Sequence, residues 1–350
     1  MVETPVIIAG GGIAGLAVAK TLVESGTRCT IVERSPHLGG HVRDWACMAT
    51  DRCQRCFCCE VEGLIREVRS SDMVEVLTGW EVSAVVPSDG PAKRFSLKET
   101  NSGEEVLADA SALVLATGFE PYNPAERLLW GHGRLEGVST LAEVDGLLRK
   151  DMLAEFAGDG SGLDVAFFQC IGSRDAGSGA NYCSQYCCKG ALRMALKLIH
   201  EHPKTTVTLF YIDLQVAGKY ADELMEQAKA KNVRLRQGVP GEITKDPENR
   251  LEIIVEDQGR NVRECFDRVI LSIGQRPRPG TAALADALGV PLNDFGFMEA
   301  GATSGGSRTA VSGVYLAGTC AGPKDIERTL EHAGQTVQAI LADMRSGGAR

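Results

Sequence analysis

Four cysteines fall close together: Cys170 in Phe167-Phe168-Gln169-Cys170-Ile171-Gly172-Ser173-Arg174, then Cys183, Cys187 and Cys188 in Tyr182-Cys183-Ser184-Gln185-Tyr186-Cys187-Cys188. Clustered thiols of this kind bind metal or do redox work. The spacing C-x12-C-x3-C-C is neither the bacterial ferredoxin run nor a common zinc spacing. It reads first as a set of ligands for a [4Fe–4S] cluster. Zinc, and catalytic or buried free thiols, are the alternatives. The elements around it fit an anionic cluster. Cys170 ends a strand predicted over residues 165–170, at the carboxyl edge where open α/β sheets bind ligands. A helix predicted over 182–200 puts Cys183 and Cys187 one turn apart with Cys188 beside them. Its N-terminal dipole favours negative charge and lowers thiol pKa.

The elements that position these thiols are nucleotide-binding elements. A strand at 6–9 leads into Gly10-Gly11-Gly12-Ile13-Ala14-Gly15 and a helix over 13–25; a second strand over 29–32 is closed by Glu33. In this fingerprint Gly10 makes the turn, Gly12 lets a pyrophosphate approach the backbone, and Gly15 lets helix and strand pack closely. Glu33 hydrogen-bonds a ribose. Arg34 reads as an adenosine contact or a solvated arginine. Residues 81–110 read as antiparallel hairpins, with turns at Pro87-Ser88-Asp89-Gly90 and Asn101-Ser102-Gly103, and a strand over 113–116 runs into Thr117-Gly118. A second α/β unit begins near Asp164: a strand, the cysteine-bearing helix, a strand over 206–212, a helix over 219–231, a strand over 233–236, a hairpin, and a strand over 268–273. A strand at 313–318 and a helix over 324–344 complete the first unit. The expected organisation is therefore α/β, with two Rossmann-like domains. Residues 1–125 and 290–350 form an FAD-binding domain. Residues 155–285 form an inserted NAD-binding-like domain. No second GxGxxG follows residues 165–168, so the thiols stand where a nicotinamide loop belongs.

A second group comprises Cys47, Cys53, Cys56, Cys58 and Cys59. Cys53-x2-Cys56-x2-Cys59, with Cys47 as fourth ligand, is a candidate second cluster. The rivals are ligands for a cluster shared with a partner protein, and a redox-active disulfide beside the flavin after Gly39-Gly40. The last would make the chain a stand-alone NAD(P)H-dependent disulfide reductase using Cys47, Cys53 or Cys56. A non-catalytic scaffold is a third reading. Cys29 and Cys265 read as simple buried residues.

Composition bounds these readings. The chain has 350 residues, 40 glycines and 5% aromatics, which suits two glycine-rich α/β domains. A net charge of −9 with no basic cluster argues against nucleic acid. The apolar run at residues 6–19 is too short and glycine-rich to span a bilayer, and the first five residues lack the basic start of a signal peptide. With 12 cysteines and no sign of secretion, the expected compartment is the cytoplasm.

Taken together, the motifs resemble the family of flavin-carrying A-type subunits of heterodisulfide reductases, in the short form of sulfur-oxidising bacteria. The resemblance covers nearly the whole chain. It rests on Gly10–Gly15 with Glu33-Arg34, on Gly39-Gly40-His41 and on Cys170-Ile171-Gly172-Ser173-Arg174-Asp175. It continues through Tyr182-Cys183-Ser184 with Cys187-Cys188, Tyr211-Ile212-Asp213, Ala317-Gly318 and Gly322-Pro323-Lys324-Asp325-Ile326. It implies a thioredoxin-reductase-like core with FAD and a [4Fe–4S] cluster on Cys170, Cys183, Cys187 and Cys188. It also implies a homodimer assembled with subunits B and C, and a role in oxidative sulfur metabolism. The expected cofactor residues are Gly10, Gly12, Ala14, Gly15, Glu33, Arg34, Gly40, His41, Thr117, Gly118, Gly318, Lys324, Asp325 and Ile326, with Lys324 stabilising reduced flavin. Arg174 and Lys189 read as charges that raise the cluster's potential, with a surface role the alternative for Lys189. No C-x2-C-x2-C-x3-C-P run occurs, Cys58-Cys59 adds thiols, and Gly318 is followed by Thr319-Cys320 rather than aspartate. The first departure puts electron bifurcation of the long form in doubt.

Overall fold

The computed structural model describes residues 2–3, 5–86, 93–158, 162–257, 259–301 and 306–347. The turn expected at Pro87-Ser88-Asp89-Gly90 lies outside the described residues. The chain divides into two compact units. The first comprises Met1–Arg43, Phe57–Glu120 and Pro277–Arg350, and the second Asp44–Cys56 and Pro121–Arg276. Both are α/β dinucleotide-binding folds, the second inserted in the sequence of the first.

The first unit is built on a five-stranded sheet in the order Val314–Leu316, Ala112–Leu115, Val6–Ala9, Cys29–Glu33, Val74–Thr78. Every neighbouring pair is parallel. Val6–Ala9 and Ala112–Leu115 are buried along their whole length, as strands covered on both faces must be, so both read as continuous apolar runs. Parallel strands need crossovers, and the helix Ile13–Glu24 supplies the first. The next helix, Glu60–Ser70, buries Val61, Leu64 and Val68, one apolar stripe at helical spacing. An antiparallel meander of Trp80–Val86, Lys93–Glu99 and Glu105–Ala110 follows. Its Phe95 and Leu97 enter the same core as Leu113 and Leu316. The helix Ile326–Gly347 packs against Ile13–Glu24.

The second unit repeats the plan. Its parallel sheet runs Val138–Thr140, Arg268–Ile273, Asp164–Ile171, Thr206–Tyr211, Arg234–Gln237, with a three-stranded antiparallel sheet of Ile243–Lys245, Leu251–Asp257 and Arg260–Phe266. Phe210 meets Phe168 and Phe266 edge-on at 5.8 and 6.0 Å between ring centres. Each such pair adds about 0.5–1.5 kcal/mol beyond the burial itself.

One element departs from expectation at the point that matters. The cysteine-bearing helix is Cys187–Glu201, not 182–200. Gln185 takes φ 62°, a left-handed conformation that a continuing helix cannot contain. Cys183 therefore lies in the turn before the helix, and the one-turn spacing of Cys183 and Cys187 on a helical face is overturned. Among the described residues no helix is long and apolar enough to cross a membrane.

Candidate functional site

In the first unit the strand Val6–Ala9 delivers the chain to Gly10-Gly11-Gly12, and the helix opens at Ile13 with Gly12 as a cap that has no side chain. Its first amides are left for a ligand, and with the helix dipole they suit a phosphate. A Cβ on Gly15 would stand 1.9 Å from the Gly10 carbonyl oxygen, so only glycine lets helix and loop approach this closely. Glu33 closes the second strand. Its two carboxylate oxygens accept from the Gly11 and Ser35 amides at 2.7 and 2.8 Å, which leaves the remaining lone pairs for a ribose. The Gly39 amide donates to the Gly11 carbonyl at 2.8 Å, and Gly12 and Gly39 form a β-bridge. Gly39-Gly40 therefore lies along the glycine loop. His41 Nε2 is 3.0 Å from the Phe119 carbonyl oxygen. Thr117-Gly118 follows the strand Ala112–Leu115, and the Ala116 carbonyl oxygen would lie 2.3 Å from a Cβ on Gly10. The structure thus gathers Gly10, Gly12, Gly15, Glu33, Gly40, His41, Thr117 and Gly118 around one loop. At its Glu33 end a cavity of about 300 Å³ is lined by Glu33, Arg34, Val82, Thr117 and Arg278 among others.

The C-terminal residues do structural work that the sequence reading did not anticipate. The Gly318 amide donates to His332 Nδ1 at 3.1 Å. A Cβ on Gly318, at φ 75°, would stand 2.7 Å from Ala14 Cβ, so Gly318 and Ala14 are small for each other's sake. The Asp325 carboxylate accepts from the Arg328 amide at 2.9 Å, the bond of a helix cap, and Ile326 is the buried first residue of that helix. Lys324 Nζ donates to the Gly322 carbonyl at 3.2 Å. Burial draws the Lys324 ammonium below its ordinary pKa, while the neighbouring Cys320 opposes this.

In the second unit the strand Asp164–Ile171 shifts register between Phe168 and Ile171. Cys170 in that bulge has φ 63°, and Arg174 has φ 52°. With Gln185 these are three side-chain-bearing residues in a left-handed conformation within one loop; each costs on the order of 1–3 kcal/mol, and such strain concentrates at functional sites. A Cβ on Gly172 would stand 2.1 Å from the Tyr122 ring, so the loop closes on that ring. Burial pushes the Cys170 thiol up to about 11, with Cys188 and Cys183 adding to it and Arg174 opposing. Burial likewise raises Cys187 well above its ordinary value, reinforced by Cys188, Cys170 and Cys183, and raises Cys188. In the metal-free site burial thus acts on Cys170, Cys187 and Cys188 against the lowering expected at a helix end. All four thiols act electrostatically on one another. The Arg174 guanidinium favours the Cys170 thiolate by its charge and pairs with Asp213. The Gln185 amide donates to Cys183 Sγ at 3.3 Å, and the Gln215 backbone favours the Cys188 thiolate. Lys189, for which a surface role was the alternative, is 6% exposed.

Comparison with known proteins agrees with this geometry. The profile of the family described as pyridine nucleotide-disulphide oxidoreductase matches residues 4–339. The chain belongs to that family. Within it, the chain is 32% identical over 272 residues to the A-type subunit of the H(2):CoB-CoM heterodisulfide,ferredoxin reductase of Methanothermobacter marburgensis, covering 74% of this chain and 41% of that protein. It is 28% identical to the A-type iron-sulfur subunit of the CoB--CoM heterodisulfide reductase of Methanocaldococcus jannaschii, covering 99% and 65%. The chain thus spans less than two thirds of these relatives' length. Thioredoxin reductase of T. acidophilum has the same fold at TM-score 0.64 and 17% identity, covering 98% of this chain and 99% of that one. Membership in this family supports a flavin-dependent oxidoreductase with FAD as its cofactor.

The chemistry of the residues suits a cluster: four thiols, an amide donor to Cys183, and the Arg174 charge near Cys170. Among the described residues no group of three or more His, Cys, Asp and Glu closes on a single ion position. Of the second group, Cys47, Cys53 and Cys56 fall in the second unit and Cys58 and Cys59 in the first. Cys47, Cys53 and Cys59 are exposed, while Cys56 and Cys58 are buried. The Cys47–Cys56 loop is tied down within its own unit. Arg193 donates to the Gln54 and Arg55 carbonyls at 2.9 and 2.8 Å, and Lys197 to that of Ala49 at 3.1 Å. Cys29 is buried, but Cys265 is only partly so. Sequence reasoning missed the roles of Asp213, Gln215, Val82 and Arg278. Asp213 stood in a recognised motif, Tyr211-Ile212-Asp213, without a role; the other three carry no local signal.

Proposed function

We propose that this protein is an electron-transfer component of a heterodisulfide-reductase-like complex in oxidative sulfur metabolism, using FAD in the first unit and a [4Fe–4S] cluster in the second. The observation that supports the reading is the left-handed backbone at Cys170, Arg174 and Gln185, between a strand end carrying Cys170 and a helix start carrying Cys187 and Cys188. In this reading residues 1–125 and 290–350 are the FAD-binding domain and residues 155–285 carry the cluster. When bound, the two groups supply two-electron and one-electron chemistry respectively.

The chain's own residues hold and orient. The amides at the start of the helix Ile13–Glu24 hold the pyrophosphate and Glu33 the ribose. His41 is fixed through the Phe119 carbonyl, and Lys324 supplies positive charge that favours reduced flavin. The four thiolates would ligate the cluster, and the Gln185 amide on Cys183 with the nearby Arg174 charge favours its more negative state. The expected partners are a second copy of this chain and B- and C-type subunits that handle the sulfur substrate, all in the cytoplasm. Cys47, Cys53, Cys56 and Cys59 are the ligands of a second cluster in the fuller form of this reading. The exposure of Cys47 and Cys53 favours a second reading, a stand-alone NAD(P)H-dependent disulfide reductase.

Anaerobic purification with iron, acid-labile sulfide and flavin assays separates them. About four irons per chain and one FAD are expected, and about eight if the second group is loaded. FAD without iron, together with NAD(P)H-driven disulfide reduction, would establish the second reading and end the first.

A further inference from the structure

The cavity at Glu33 holds a residue that no motif marked. Arg278 stands where the chain re-enters the first unit, in Arg276-Pro277-Arg278-Pro279-Gly280. Its Nη1 donates to the Thr117 carbonyl at 3.2 Å, which anchors the guanidinium to the strand end. Its Nε is buried and has no hydrogen-bond partner; the same holds for Thr117 Oγ1. Both residues line the one cavity, with Glu33, Arg34 and Val82. Two buried polar atoms without partners cost about 1–3 kcal/mol each unless something fills their bonds. A structural salt bridge does not explain the arrangement either. Burial and the adjacent Arg34 both act against the charge of Arg278, while Glu33, Glu81 and Glu120 act in its favour.

The cavity's place in the fold says what fills it. It opens at Glu33 and Arg34, the ribose end of the fingerprint. Gly12, Gly15, Gly40 and His41 are not among its lining residues, so it lies to the adenosine side of the pyrophosphate. A donor N–H on a planar cation suits adenine twice over: ring nitrogens accept hydrogen bonds, and the π face accepts the cation. We infer that Arg278 is an adenosine-binding residue, donating from Nε to the adenosine of the dinucleotide while Thr117 Oγ1 bonds the same moiety, so that this arginine adds to the preference for FAD over FMN that the glycine loop and Glu33 already give. The inference rests on the flavin reading above and adds to it a residue that helps select the adenosine half.

The test is flavin binding to deflavinated protein, followed by quenching of flavin fluorescence, with FAD and FMN as ligands and ADP as competitor. Arg278→Ala is expected to weaken FAD roughly 10–100-fold, the cost of a hydrogen bond from a charged group, and to weaken ADP competition alike. FMN affinity should stay within about twofold, because FMN lacks the adenosine. Arg278→Lys keeps a cation but has no Nε–H, so it should recover little. FAD affinity unchanged in Arg278→Ala, or an equal loss for FMN, would overturn the assignment; the second outcome marks a folding role. A wild-type protein that binds neither flavin overturns the flavin reading itself, and the inference with it.

Discussion

Asp145 offers a measurable consequence of burying a carboxylate under a cysteine-bearing loop. It lies on the helix Leu141–Arg149 and accepts from the Ala46 amide at 2.6 Å. Burial pushes its carboxyl from 3.8 up to about 7; the Ala46 bond opposes this and the nearby Cys56 adds to it. The folded protein therefore holds a proton that the unfolded chain has already released. The stabilising contribution of that proton is complete below pH 3.8, and is lost as pH rises to and through about 7. From pH 5 to pH 8 about two units of this window are crossed, at about 1.4 kcal/mol each. The expected loss is about 2–3 kcal/mol. Asp145→Asn keeps an acceptor for Ala46 and has nothing to ionise. Urea denaturation of the reduced, metal-free protein at pH 5 and pH 8, with hydrogen exchange at the Ala46 amide as the local readout, should show this loss in the wild type and not in the variant. The variant should be the more stable protein at both pH values, by about 1–2 kcal/mol at pH 5 and about 4 kcal/mol at pH 8, and should match the wild type only below about pH 3.8. An identical pH slope in both proteins would refute the reasoning.

Three further outcomes are expected. Cys187→Ala should remove the iron of the first cluster and leave bound FAD unchanged; unchanged iron by chemical assay would reject Cys187 as a ligand. Gly15→Ala drives a methyl to 1.9 Å from the Gly10 carbonyl, so thermal denaturation should show a loss of about 1–3 kcal/mol or more, and FAD content should fall with it. Lys324→Met should lower the midpoint potential of bound flavin in redox titration, because a cation that favours the reduced anion is gone; an unmoved potential would confine Lys324 to its bond with the Gly322 carbonyl.

The glycine fingerprint was legible because its demands are local. Gly10, Gly15 and Glu33 act through turns, close approaches and a strand end within one β-α-β run, and each has a residue type that little else can replace. The alternation of strands and helices was legible for a similar reason: strands covered on both faces must be apolar throughout. The helix boundary at Cys187 was not legible. Its cause, the left-handed Gln185, is a conformation imposed on a residue with no preference for it. Gly318 was expected at the cofactor, and its smallness has a further cause in Ala14 of a distant helix.

From sequence alone came the fold class, the nucleotide loop and the list of thiols, because periodicity, glycine and cysteine chemistry are written residue by residue. Tertiary structure alone decided how deeply Cys170, Cys187 and Cys188 are desolvated and that Lys189 is buried. It alone carried Arg278 from the far end of the inserted segment to Thr117, a separation of 161 residues. Burial and long-range pairing depend on the whole packed chain, and no local pattern encodes them.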